Sequence, residues 1–393
     1  MPLAVYFLAV AVFAMGTSEF MLAGLLPDLA ADIHVDLGAA GLLTSAFAVG
    51  MVVGAPLTAA LARTWPQRSS LLAFIAVFAA AHVLGAVTDD FAALLATRVI
   101  AAVANAGFLA LALTAAAGLV APDRKGRALA VLLSGTTVAT VVGVPGGALL
   151  SALLDWRATF WAVALLCLPA ALGILRGVPA RVEASETPAA PALAAELAQL
   201  RRPRLLLVMF LGALVNAATF GVLTYLHPIV TDVAGLEELW VPVALVLFGI
   251  GSYAGVTAAG RLSDHRPGPV IAVAGPLLLA GWAAMGASAA NPVALLALVF
   301  VQGVLAFAVG STLIARVLYE GAGAPTLAGA YATAALNVGA AAGPLAAAAA
   351  LGTGSGGTGP VWAGAVLMAA ALLTAVPFRR VFAAGRTAAM SRD

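Results

Sequence analysis

Apolar residues run along this chain in long blocks, and polar residues gather in the breaks between them. A helix rising ~1.5 Å per residue needs ~20 apolar residues to cross a bilayer, so blocks of that length predict spanning helices. Twelve are predicted: residues 4–27, 39–62, 69–88, 91–119, 128–153 and 157–177, then 204–231, 239–262, 269–289, 292–319, 326–351 and 360–380. Asp89-Asp90 separates the third from the fourth, and Asn291-Pro292 the ninth from the tenth. A Gly-rich stretch from Gly352 to Pro360 separates the last two. The expected fold is an all-α membrane protein of twelve transmembrane helices.

The two halves repeat at a fixed offset of 201. Phe47-x-x-Gly50-x-x-x-Gly54 returns as Phe248-x-x-Gly251-x-x-x-Gly255, Ala93-Leu-Leu-Ala96 as Ala294-Leu-Leu-Ala297, and Pro27 as Pro228. Duplicated six-helix halves are a transporter architecture. The expected division is a six-helix bundle over 1–177, a linker over 178–203, a pseudo-symmetric second bundle over 204–380, and a tail over 381–393. The linker holds Pro179, Pro188, Pro191 and Pro203, and Leu193, Leu197 and Leu200 fall at i, i+4, i+7. That spacing fits a short surface helix, and the composition fits a plain hydrated linker equally well.

Hydrophobic residues make up 63% of the chain and charged residues 9%, too few to cover a soluble domain of this size. A net charge of +2 argues against a nucleic-acid partner. Cys167 is the one cysteine, and His82 and His227 each lack a second ligand at useful spacing, so no disulfide, metal or cofactor is expected. A Gly-x4-Gly-Lys-Ser/Thr loop is absent, which argues against ATP as the driving force. The opening Met-Pro-Leu-Ala lacks the basic region of a cleaved signal, so the first span is expected to stay as an anchor. Arg and Lys then fix the orientation. With the N-terminus inside, cytoplasmic loops hold Arg63, Arg68, Arg124, Lys125, Arg127, Arg201, Arg202, Arg261 and Arg266, whereas the opposite loops hold only Arg157. Both termini are expected in the cytoplasm.

Glu19 is a lone carboxyl in the uncharged run from Leu3 to Pro27. A charge at mid-membrane costs roughly 2.5–3.5 kcal/mol on insertion scales and persists with a partner or a task. Glu19 precedes Pro27 by eight residues and Arg98 follows Asp90 by eight, so both sit ~12 Å below one membrane surface and share a layer. Two readings fit the pair. In one, a proton-accepting carboxyl is held by Arg98 and released as pocket occupancy changes, since burial favours the neutral acid and a guanidinium the charged one. In the other, a permanent ion pair ties two helices together. Asn105 lies seven residues beyond Arg98 on the same face and extends a polar stripe.

The fifth span places Gly135, Ala139 and Gly143 at every fourth residue before Pro145-Gly146-Gly147, a close-packing face followed by a bend. The eleventh has a counterpart in Gly339-Ala-Ala-Ala-Gly343-Pro344. Thr136, Thr140, Asn216, Tyr225, Gln302, Tyr331 and Asn337 are polar residues at membrane depth, each a candidate to touch substrate or to bond a neighbouring helix.

These residues resemble the major facilitator superfamily over the whole length, specifically its twelve-span drug–proton antiporters. Gly260-Arg-Leu-Ser-Asp264-His-Arg266 is similar to the family's gating loop, in which an Asp at a helix end meets a basic residue. In the first half Ala59 replaces the Gly and Arg63 the Asp. Leu94-x3-Arg98 resembles the fourth-span motif whose Arg serves proton coupling, with Ala102 where a Gly is usual. Gly143-Val-Pro145-Gly146-Gly147 looks like the fifth-span antiporter motif of exporters, and Asp155-Trp156-Arg157-Ala-Thr-Phe160 like the entry to span six. Met15-Gly-Thr-Ser-Glu19-Phe-Met21 and Leu133-Ser-Gly-Thr136-Thr-Val-Ala-Thr140 resemble chloramphenicol-resistance exporters of actinobacteria. The resemblance implies a monomeric, proton-coupled antiporter of the bacterial cytoplasmic membrane, not an enzyme, whose partners are a small amphipathic drug, protons and the bilayer. Export of sugars or another metabolite is the alternative, and a non-transporting receptor a more distant one.

Overall fold

The computed structural model describes residues 1–61, 66–121, 124–179, 193–263, 267–324, 327–352 and 357–378. Helices dominate throughout, and no strand occurs among the described residues. The first span is α1 (Leu3–Phe20), followed by a 3-10 turn (Met21–Gly24) and then α2 (Leu26–Ile33). Next come α3 (Leu37–Leu61), α4 (Gln67–Val87) and α5 (Phe91–Gly118). The fifth span divides into α6 (Lys125–Val138), a π-helical turn (Ala139–Gly143) and α7 (Val144–Leu153); α8 (Trp156–Gly177) ends the first half. After the linker, α9 (Leu193–Leu197) leads through a 3-10 turn to α10 (Pro203–Thr224) and α11 (Leu226–Pro228). The remainder is α12 (Trp240–Ser263), α13 (Pro267–Ser288), α14 (Pro292–Glu320), α15 (Ala328–Leu351) and α16 (Gly359–Ala375).

Eleven helical stretches among the described residues are long and apolar enough to cross a membrane. α16 is apolar too but shorter, because the chain passes into a 3-10 turn at Val376–Phe378, where Pro377 has no N–H to extend the helix. Three predicted spans are not single helices. The first breaks after Phe20, the fifth carries the π-helical turn, and the seventh breaks at Tyr225 before a π-helical turn over Ile229–Val233. Each break lies within about a turn of a proline (Pro27, Pro145, Pro228), whose missing N–H leaves a carbonyl one turn earlier unpaired. Pro56, Pro169, Pro276 and Pro344 sit inside unbroken helices. Helix starts repeat between halves: Asp90 accepts from Ala93 N–H at 2.6 Å, and Asn291, its partner at the 201 offset, accepts from Val293 and Ala294 N–H.

Contacts divide the chain into one unit of Met1–Leu193 with Glu237–Val246 and another of Ala194–Leu236 with Leu247–Asp393. In the first, α1 packs on α6 and α8, and α5 on α3 and α4. In the second, α10 packs on α15 and α16, and α13 on α14. Close helix approaches keep the duplicated register. A Cβ on Gly50 or Gly54 would meet Val99 and Val103 of α5, and one on Gly251 or Gly255 would meet Phe300 and Val304 of α14. The segment predicted as linker or surface helix is only five helical residues and a 3-10 turn, with Glu196 fully buried and Leu197 half exposed. Glu196 takes the Leu327 N–H at 2.9 Å, which ties this segment to the start of α15.

Candidate functional site

The break after Phe20 leaves carbonyls of the last α1 turn without helical partners. Arg98 of α5 takes one of them: its Nη2 donates to the Ser18 carbonyl at 2.7 Å, and its Nη1 to the Ser18 hydroxyl at 2.9 Å. The guanidinium is 1% exposed and lies over the Phe47 ring at 4.5 Å. The Ser18 oxygen also meets His82 Nε2 of α4 at 2.7 Å, while His82 Nδ1 lies 2.8 Å from the Phe78 carbonyl. Ser18, His82 and Arg98 are all buried.

The expected pairing of Glu19 with Arg98 therefore takes a different form. No ion pair joins the two: Nη1 and Nη2 of the guanidinium go to the neighbouring residue, Ser18, and Nε has no hydrogen-bond partner. Glu19 stands half-buried in the last turn of α1, within electrostatic reach of Arg98. Sequence reasoning missed Ser18 and His82. A signal was present for His82, which precedes Asp90 by eight residues and so shares the depth of Glu19 and Arg98. A serine in an apolar run carries no such signal.

The small residues of the fifth span pack against α1. A Cβ on Gly135 would collide with the Ala9 carbonyl, and one on Gly143 with the Thr17 hydroxyl. Ala139 lies against Gly16, and Gly147 against Thr159 of α8. Gly146 faces open space, so the Pro145-Gly146-Gly147 step contains one packing glycine rather than two. In the second unit a Cβ on Gly339 or Gly343 would run into backbone carbonyls of α10. Gly260 lies in the last turns of α12, and Asp264 and Arg266 of the gating loop lie outside the described residues.

Most substrate candidates already have protein partners. Asn105 is buried against Met51 of α3, its Nδ2 3.6 Å from the sulfur. Thr140 bonds its own helix at Thr137, and Asn337 at Thr333. Thr136 is half-buried beside Gly16. Asn216 donates to the Leu336 carbonyl of α15 at 2.7 Å, the buried Tyr225 hydroxyl lies 3.5 Å from the Pro344 carbonyl, and Tyr331 donates to the Glu196 carbonyl at 2.8 Å. Gln302 donates to the Leu278 carbonyl. Its Oε1 and the Trp282 indole N–H lack hydrogen-bond partners, and both residues line a small pocket with Thr219, Leu223 and Phe248.

A second polar cluster straps the α2 end of the first unit. Arg157 pairs with Asp32 and Asp89 and stacks on Trp156, and Trp156 Nε1 donates to Asp32 at 3.1 Å. Ser151 donates to Asp28 at 2.7 Å. The Arg157 hydrogen bond holds the Asp32 carboxyl below its ordinary range, with the Trp156 hydrogen bond adding to it.

The family model of the Major Facilitator Superfamily matches residues 8–344. The chain is 67% identical over 392 residues to a chloramphenicol resistance protein of Streptomyces lividans, covering 100% of each. It is 31% identical over 366 residues to the inner membrane transport protein YdhP of Escherichia coli K12, covering 93% of each. Two solved structures share the fold. The nucleoside transporter NupG has a TM-score of 0.76 at 14% identity, over 97% of this chain and 99% of that one. A bacterial homologue of the human lysosomal transporter Spinster has 0.75 at 15%, over 97% and 96%. With its duplicated helices, its apolar spans and these matches, the chain belongs to the Major Facilitator Superfamily and is a multi-pass membrane transporter, not an enzyme.

Proposed function

We propose that this transporter is a proton-coupled efflux antiporter that exports chloramphenicol, or a similar small amphipathic drug, across the bacterial cytoplasmic membrane. The match over full length to the Streptomyces lividans chloramphenicol resistance protein carries the drug assignment. Proton coupling rests on Glu19, a carboxyl within electrostatic reach of a buried guanidinium at the point where α1 breaks. The transporter works as a monomer with both termini in the cytoplasm, an orientation supported by its Arg and Lys placement. Two six-helix bundles, residues 1–177 and 204–380, rock about the substrate, and the glycine faces that the fifth and eleventh spans turn to α1 and α10 let these helices shift in close contact. Asn105, Thr136, Thr140, Asn216, Tyr225, Tyr331 and Asn337 are the polar residues offered to the substrate in this scheme. The gating role that the motif from Gly260 to Arg266 implies belongs to the same proposal.

Chloramphenicol accumulation in a sensitive host, with and without the gene and a protonophore, tests the proposal. Lower accumulation that the protonophore abolishes is expected. Unchanged accumulation, with export of a sugar or another metabolite instead, would overturn the drug assignment.

A further inference from the structure

The Arg98 cluster runs in one direction. The Phe78 carbonyl can only accept, so the His82 ring proton sits on Nδ1, and Nε2 of the neutral ring is an acceptor. Ser18 must then donate its hydroxyl proton to Nε2, which turns the oxygen lone pairs toward the Arg98 N–H. Each member has the polarity its neighbour requires, and such a chain strengthens its own bonds.

The duplicated half shows that the fold can form without these groups. At the 201 offset Ser18 becomes Thr219 and Phe47 becomes Phe248, but His82 becomes Ala283, Arg98 becomes Val299 and Glu19 becomes Phe220. Thr219 bonds its own helix at Val215 instead. A buried cation costs several kcal/mol and adds little packing that Val and Ala do not supply, so its retention in one half alone marks a task.

We propose that His82 is a positioning residue of the coupling site. Its Nε2 accepts the Ser18 proton, and this holds Ser18 as the dock that fixes Arg98 one residue from Glu19. The inference rests on the coupling role proposed for Glu19 and Arg98. A protonated ring would aim a second cation at the same oxygen, so His82 serves only while neutral. The charge acting on the ring is Arg98 of α5, while α1 presents Ser18 with Glu19 next in sequence, and α8 presents the Phe160 ring.

The test reconstitutes the full chain in proteoliposomes and follows radiolabelled chloramphenicol, driven by a pH gradient or by counterflow without one. His82→Leu and Ser18→Ala are expected to cut gradient-driven transport roughly tenfold, as befits loss of a hydrogen bond that orients a charge, and to keep counterflow. His82→Gln offers a carbonyl that accepts the Ser18 proton and does not ionise. It is expected to restore driven transport toward the wild-type level. Wild-type driven transport in His82→Leu, or driven transport as low in His82→Gln as in His82→Leu, would overturn the inference. If His82→Leu does not assemble, Ser18→Ala and His82→Gln carry the same comparison. Glu19→Gln runs alongside: undiminished driven transport in that variant sinks the coupling proposal itself, whatever the His82 variants do.

Discussion

Arg98 docks on Ser18 rather than on the Glu19 carboxyl, with one N–H on the hydroxyl and another on the backbone carbonyl. A guanidinium held this way keeps its place whether or not Glu19 carries a proton. The carboxyl can then change charge beside a fixed cation instead of breaking an ion pair each time. That arrangement suits the coupling role proposed for Glu19 and also ties α1 to α5 through Ser18.

Arg98→Lys keeps the charge and loses the fork. One ammonium cannot reach both Ser18 oxygens in the same geometry while covering the Phe47 ring. Hydrogen bonds to charged groups contribute ~1.5–3 kcal/mol, so gradient-driven export is expected to fall roughly ten- to a hundredfold. Flux in inverted vesicles measures it. Wild-type flux would mean that charge alone suffices.

The small-residue faces make a contrast that separates packing from sequence motif. Gly343→Ala sets a methyl against the Ala217 carbonyl of α10 and is expected to cost about 1–3 kcal/mol as overpacking. Gly146→Ala points its methyl into open space and should stay within about 0.5 kcal/mol of wild type. Thermal melting in detergent compares the two. Equal destabilisation would contradict the packing geometry.

Much of this fold is legible in the chain because lipid forces nearly uniform apolar blocks and leaves charge for the ends. The Gly50 and Gly251 registers could be matched by eye, and they meet equivalent positions on α5 and α14. Local breaks were harder to read: Pro27, Pro145 and Pro228 sit near them, yet Pro56 and Pro344 sit in continuous helices. The site was half visible. Glu19 and Arg98 stand out as lone charges, whereas the residue that joins α1 to α5 is a serine, ordinary in composition and defined only by its partners. Tyr331 and Glu196 meet across 135 positions, a pairing no local pattern encodes.

The strap at Arg157 gives a pH dependence with a definite sign. Its hydrogen bond favours the charged Asp32 carboxylate and lowers its pKa below the ordinary 3.8, so the stabilisation is fully present above that value. It is lost as pH falls through the depressed value in the folded protein. The wild type should therefore melt above Asp32→Asn near neutral pH, and the gap should close below about pH 4. A gap that widens on acidification would reverse the assignment. Because Asp32 is half exposed, high salt should narrow the gap as well.

Glu196 ties the linker to the start of α15. Its carboxyl accepts the Leu327 N–H at 2.9 Å, next to the helix N-terminus where negative charge is favoured, and its carbonyl receives the Tyr331 hydroxyl at 2.8 Å. Glu196→Ala removes the carboxyl bond and leaves the N–H unpaired in a buried place, a loss of about 1–3 kcal/mol confined to this contact. Tyr331→Phe removes a single neutral bond and should cost less, about 0.5–1.5 kcal/mol. Hydrogen exchange is therefore expected to speed up at residues 194–201 and 327–331 in Glu196→Ala, more weakly in Tyr331→Phe, and not at all in α1 or α5. Uniform acceleration across the chain would show global destabilisation instead of a released tether, and no change at Leu327 would mean the carboxyl bond contributes nothing.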